Sequence, residues 1–184
     1  MDEAALSKLE LLIATWGVFG VLGLLAQAMI RLTPLALEPL RTGMSGAQWA
    51  LYLGWVVFNA YAEGYRGFQR NFSPRVVARA MHLAKDHDAL SVALAPLYCM
   101  ALFRANRRKK IVAWVLLVVI VTIVLLVRMV PQPWRGIIDA GVVVGLAWGS
   151  ASIVVMYLQA VLQGRIPPND SLVDTPPEGA PAGH

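Results

Sequence analysis

Residues 104–127 read Arg-Ala-Asn-Arg-Arg-Lys-Lys and then Ile-Val-Ala-Trp-Val-Leu-Leu-Val-Val-Ile-Val-Thr-Ile-Val-Leu-Leu-Val. Five cations are followed without a break by a run in which Thr122 is the one hydrophilic side chain. Its many β-branched residues would suit a strand in water. In lipid a lone strand leaves its backbone groups unpaired, so the run predicts a transmembrane helix over 111–130. The cations at its head predict a cytosolic end.

The charge pattern extends outward from there. Ten of the 16 Lys and Arg residues lie between Arg66 and Lys110, with apolar runs on either side. The chain is 58% apolar and 15% charged, where a soluble domain would carry about 25% charged residues. Together these features predict an all-α integral membrane protein. Cys99, the single cysteine, excludes an intrachain disulfide and reads as an apolar filler. Asp2, Glu3, Lys8 and Glu10 at the start do not form the positive head of a cleavable signal peptide.

Three further spans are expected. Residues 11–30 would be about 30 Å long as a helix, with Gly17, Gly20 and Gly23 along a slowly drifting stripe. Residues 47–63 form the next, with Gly46 just before them and Ala50 and Gly54 within them as a small-residue packing face. Tyr52, Val56, Asn59 and Glu63 lie nearly opposite on the helical wheel. Residues 137–162 contain Gly141, Gly145 and Gly149 at spacing four, the best-defined packing signature in the chain. The short turn Pro131, Gln132, Pro133, Trp134 and Arg135 lies between this span and the one before, so the two are expected to be antiparallel neighbours.

The section 64–110 is expected on the cytosolic side. Ser73 followed by Pro74 reads as a helix start. The helix that follows places Val76, Val77, Ala80, Met81 and Ala84 on one face and Arg75, Arg79, His82 and Asp86 on the other. That pattern predicts an amphipathic helix at the membrane interface, although the chain's own helices could cover the same face. Residues 89–103, with Pro96 near the middle, are short for a crossing and flanked by cations on both sides. They are expected to be re-entrant or interfacial, giving four spans, with five as the alternative. Residues 166–184, with five prolines and three acids, are expected to be disordered. Residues 1–165 then form a single membrane-embedded domain.

Four spans with both termini inside leave Arg31, Arg41, Arg128 and Arg135 outside and the other twelve cations inside. Trp49 and Trp134 fall at the outer boundary and Tyr61, Tyr65, Trp114 and Tyr157 near the inner one. A bacterial inner membrane is the expected location, from the general character of the chain rather than from any marker.

Few residues offer chemistry. Asn59 and Glu63 share a helix face and could form an intramembrane polar site, or Glu63 could pair with Arg66 or Arg70 at the interface. Asp139 could join them, or be tied to Arg135 or Arg128. Thr15, Gln27, Thr122, Ser150 and Ser152 read as interhelical hydrogen-bonding groups. His82, Asp86, His87 and Asp88 lack the spacing of a zinc helix motif, and no metal or other cofactor is expected. The run Arg104, Arg107, Arg108, Lys109 and Lys110 suits anionic lipid headgroups rather than nucleic acid. There is no phosphate loop, GxSxG elbow or HExxH, so no catalytic residue is assigned.

Three functions remain open. The first is a non-enzymatic scaffold, assembly factor or accessory subunit that binds other membrane proteins or itself through helix packing. The second is a small transporter or channel using Asn59, Glu63 and Asp139. The third is a membrane enzyme acting on lipid headgroups.

Overall fold

The computed structural model describes residues 7–85, 88–105 and 107–167, and among these every regular element is helical. Helix α1 spans Lys8–Thr42. The Ser7 hydroxyl accepts from the Glu10 amide while the Glu10 carboxylate accepts from the Ser7 amide, so two N-terminal donors are satisfied reciprocally. The expected boundary at residue 30 is not an end, and Pro34 and Pro39 both lie within the helix. Tertiary packing overrides the prolines here. Pro39 and the Leu35 carbonyl occupy the space that a side chain at Gly136 would need. Gly43, at φ 87, stops α1 in a conformation that other residues rarely adopt.

Helix α2 spans Gly46–Asn59 and starts with the same kind of reciprocal cap, between Ser45 and Gln48. It passes without a break into a π-helix over Ala60–Phe72 and then into α3, Ser73–Lys85. The Ser73–Pro74 pair therefore does not start a helix. Ser73 is buried inside a continuous rod, and the missing Pro74 amide falls where the i→i+5 ladder gives way to i→i+4.

Two five-residue helices follow, α4 (Ala89–Ala93) and α5 (Ala95–Cys99), each about 7.5 Å long. They fold against α1 and α3. A side chain at Gly20 would strike the Pro96 ring, and one at Gly17 would meet Cys99 Sγ at 2.9 Å. Helices α6 (Arg107–Val127) and α7 (Trp134–Gln163) complete the chain.

The long elements pack as three rods. Thr15 meets Tyr157 and Leu35 meets Gly136, so α1 runs antiparallel to α7. Tyr52 donates to the Ala36 carbonyl while Ala80 lies near Gly17, so α1 is antiparallel to the α2–π–α3 rod as well. The rod and α7 therefore run parallel. A single apolar cluster joins Ile13, Val18 and Val21 of α1 to Val76, Val77 and Met81 of α3 and Ile153 and Tyr157 of α7. The apolar face of α3 is thus covered by the chain's own helices and is not presented to a membrane surface, which corrects the interfacial-helix expectation.

Helix α6 stands apart, and between Ile111 and Val127 only Ala113 is buried. The expected antiparallel packing of α6 on α7 is not formed. The small-residue faces of α7 are already filled by α1 and the rod, and α6 has bulky side chains all round with no groove to offer. Among the described residues, three helices are long and apolar enough to cross a membrane: α1, α7 and the Lys110–Val127 part of α6.

Candidate functional site

The glycine ladder of α7 receives the polar face of the rod. A Cβ built on Gly141 would lie 2.6 Å from both Asn59 Nδ2 and Trp55 Nε1. One on Gly145 would lie 2.8 Å from Glu63 Oε2, and one on Gly149 would collide with the Phe68 ring. The fit is reciprocal, because a Cβ on Gly64 would meet Trp148 at 2.9 Å. Glycines on both helices let side chains of the other enter, which is how small residues bring two backbones close.

The π-helix sets the register. Contacts on the rod fall at Trp55, Asn59 and Glu63, spaced by four, and then at Phe68 and Ser73, spaced by five. A ladder that bonds i to i+5 places i and i+5 on one stripe. The partners on α7, from Ile138 through Ser152, keep ordinary helical spacing. The stripe ends in hydrogen bonds. Ser73 Oγ lies 2.8 Å from Ser152 Oγ, which also donates to the Gly149 carbonyl, and Trp148 Nε1 donates to Gln69 Oε1 at 2.7 Å.

Of the three residues expected to share a polar site, two lie on this seam. Asn59 is buried, and its amide donates to the Trp55 carbonyl of its own helix. Glu63 sits at the edge with its side chain exposed, and it forms neither of the ion pairs expected with Arg66 or Arg70. The Arg70 guanidinium lies over the Tyr65 ring instead, 5.6 Å from its centre. Asp139 is 4% exposed and belongs elsewhere, facing Arg135 at 3.6 Å, which is the tie expected from their spacing. Gly46, Ala50 and Gly54 are exposed. Nothing among the described residues lies within 4 Å of a side chain built on either glycine, so among these residues the packing face of α2 is the opposite one.

Two further polar assemblies gave no clear signal in the sequence. Gln132 locks the α6–α7 turn to α1 by donating to Glu38 Oε2 at 2.9 Å and to the Leu35 carbonyl, while its oxygen accepts from the Gly136 amide. Arg79, expected on the exposed face of α3, is fully buried. Its Nε donates to the Tyr98 carbonyl at 2.5 Å and its Nη2 to the Phe103 and Arg104 carbonyls at 2.9 and 3.0 Å. The guanidinium also stacks 4.0 Å from the Tyr98 ring centre. It thereby satisfies the carbonyls left over where α5 stops, in a turn that holds Ala101 and Arg104 at positive φ.

The remaining expected residues are scattered. His82 Nδ1 is 3.2 Å from the Tyr98 hydroxyl, and Asp88 caps α4 through Ser91 and pairs with Arg104 at 2.7 Å. Asp86, His87 and the Lys109 side chain lie outside the described residues, as does the tail from 168 onward. Arg107, Arg108 and Lys110 are exposed at the start of α6. Thr15 and Ser152 bond across helices as expected, whereas Thr122 bonds to the Val118 carbonyl of its own helix. A shallow groove of about 370 Å³ runs beside the seam. Trp148, Ala151, Val155 and Met156 line it, with Gln69 and Gln159 among its polar groups.

No protein family, no curated protein and no solved structure matches this chain.

Proposed function

We propose that this chain is a multi-pass protein of a bacterial inner membrane that acts by associating with other membrane helices, as a scaffold, assembly factor or accessory subunit. Four crossings fit the fold: α1, the α2–π–α3 rod, α6 and α7, with both termini cytoplasmic. On this reading α4 and α5 are a re-entrant segment held against α1 and α3, and the cations of 104–110 meet anionic headgroups.

The observation that carries the proposal is α6, whose apolar stretch 111–127 buries only Ala113 among the described residues. The unfilled face at Gly46, Ala50 and Gly54 supports it, because it is a packing surface that the fold leaves open. The test is native mass spectrometry of protein extracted in mild detergent. Oligomers or defined complexes are expected, and a strictly monomeric, partnerless chain ends the proposal. Labelling single cysteines at Gly43 and Asn106, in a Cys99→Ala background, tests the orientation. An impermeant reagent on intact cells should reach the first and not the second.

A second reading is favoured by Glu63, an acid without an ion pair among the described residues. It makes the chain a small transporter whose polar site includes Asn59 and Glu63. Glu63→Gln should then abolish flux in reconstituted vesicles, and wild-type vesicles no leakier than empty ones end this reading.

A further inference from the structure

Beside Glu63, the rod carries Arg66 and Arg70 with their side chains exposed, and none of the three makes an ion pair among the described residues. Their height follows from the seam. Glu63 lies at Gly145 and Ser73 at Ser152, so both arginines fall between those levels of α7, beside the span 137–162 rather than on the cytosolic side expected for 64–110. Ser152 is about 15 Å along the helix from the inner end of the span at 162, which is half of a hydrocarbon core. Asn71 Nδ2 donates to the Arg66 carbonyl and Arg75 Nη2 to the Asn71 carbonyl, so polar groups continue down the rod from Arg66 to Arg75.

A charged strip at this depth cannot face acyl chains, because ionisable groups within the bilayer pair with one another or line a polar path. It is also too deep for lipid headgroups. A second copy fits poorly. A twofold axis along the membrane normal sets equal heights opposite each other, which places arginine against arginine. Resting on the membrane reading above, we propose that the outer face of the π-helix docks a transmembrane helix of another protein that carries carboxylates near mid-span, paired to Arg66 and Arg70. Glu63, at the edge of the seam on the outer side of both arginines, disfavours an acid placed at its own level.

The test uses the full-length protein, dye-labelled and reconstituted in phosphatidylcholine vesicles. The probes are designed 21-residue Leu/Ala helices that carry two Glu, two Gln or no polar residue at mid-span, with association read by energy transfer. The two-Glu helix is expected to bind about ten-fold tighter than the apolar one. Arg66→Gln with Arg70→Gln should erase that preference, and Arg66→Lys with Arg70→Lys should keep most of it. Equal binding of all three probes overturns the proposal, and so does a Glu preference that survives the double Gln variant. A preference that appears only after residues 168–184 are removed also overturns it, since the chain's own tail is then the occupant. Flotation with the vesicles separates the two readings. Protein that does not float ends the membrane reading and this proposal together, whereas protein that floats without charge-selective binding ends this one alone.

Discussion

Glu63 lies in the notch of Gly145, so closely that a methyl group added there would come within 2.8 Å of its carboxylate oxygen and 3.0 Å of its Cβ. The same holds above and below, with Asn59 and Trp55 at Gly141 and Phe68 at Gly149. The ladder is therefore a set of occupied sockets, and its counterpart on α2 is empty.

Alanine substitutions should separate the two ladders. Gly141→Ala and Gly149→Ala force ring or amide groups out of place and should destabilise by about 1–3 kcal/mol. Gly145→Ala should cost less, because the Glu63 carboxylate can swing away and its Cβ, at 3.0 Å, has to give by only a few tenths of an ångström. Gly46→Ala and Gly54→Ala meet no atom of the described residues, and the helix propensity of alanine makes Gly54→Ala neutral or stabilising by up to about 1 kcal/mol. Denaturation in mixed micelles, followed by circular dichroism, gives the order. Equal effects at Gly54 and Gly149 would show that the rod does not occupy the ladder. Loss of oligomer without loss of stability in Gly54→Ala would assign the empty face to a partner.

The Thr15–Tyr157 contact, at 2.6 Å, joins the cytoplasmic ends of α1 and α7 in the proposed topology. Tyr157→Phe and Thr15→Val each remove one partner and should each cost about 1 kcal/mol. The double variant should cost clearly less than the sum, because the second change removes a group already unpaired. Additive losses in the same unfolding assay would mean that the two hydroxyls do not meet.

Much of this fold is legible in the residues, and the failures share a cause. The glycines of α7 announce a packing face because spacing four is the helical period, and the turn at 131–135 announces its start. The rod misleads because its contacts change period partway along. Read at 3.6 residues per turn, Glu63, Phe68 and Ser73 point in different directions, and only a ladder bonding i to i+5 aligns them. The sequence signal that survives is the spacing of five itself, set between Gly64 and Ser73. Arg79 misleads for another reason. Amphipathic periodicity assigns every cation to the wet face, whereas a guanidinium can be buried wherever several carbonyls lack donors. Those carbonyls belong to the turn after α5, which no local pattern connects to α3.

Asp88 provides a pH dependence. The Ser91 hydroxyl and amide, and then Arg104, hold its carboxyl below the ordinary aspartate range. A depressed folded value means that the contribution is complete above the unfolded value of about 3.9 and fades as pH falls through the folded one. Amide exchange across 89–104 should therefore be slower in wild type than in Asp88→Asn at pH 6, with the difference gone near pH 2. A difference that persists in acid would assign the effect to shape rather than charge.

The burial of Arg79 leads to the largest single-residue effect expected in this chain. Its guanidinium supplies the donors for the Tyr98, Phe103 and Arg104 carbonyls, which sit beside a non-glycine residue at φ 61. Arg79→Met fills similar space but takes the guanidinium donors from the Phe103 and Arg104 carbonyls and leaves the Tyr98 carbonyl only the Ala101 amide, so it should destabilise by about 2–5 kcal/mol. Arg79→Lys keeps the charge but cannot spread its donors in a planar fork, and it should fall between wild type and methionine. The damage should be local before it is global, because α5 meets the bundle through Pro96 at Gly20 and Cys99 at Gly17. Alkylation of Cys99, fully buried in wild type, is therefore the sensitive readout. It should be slow in wild type, fast in Arg79→Met under native conditions, and equal in both once the chain is unfolded in detergent. If Cys99 stays protected in Arg79→Met, the turn is held by something other than this guanidinium.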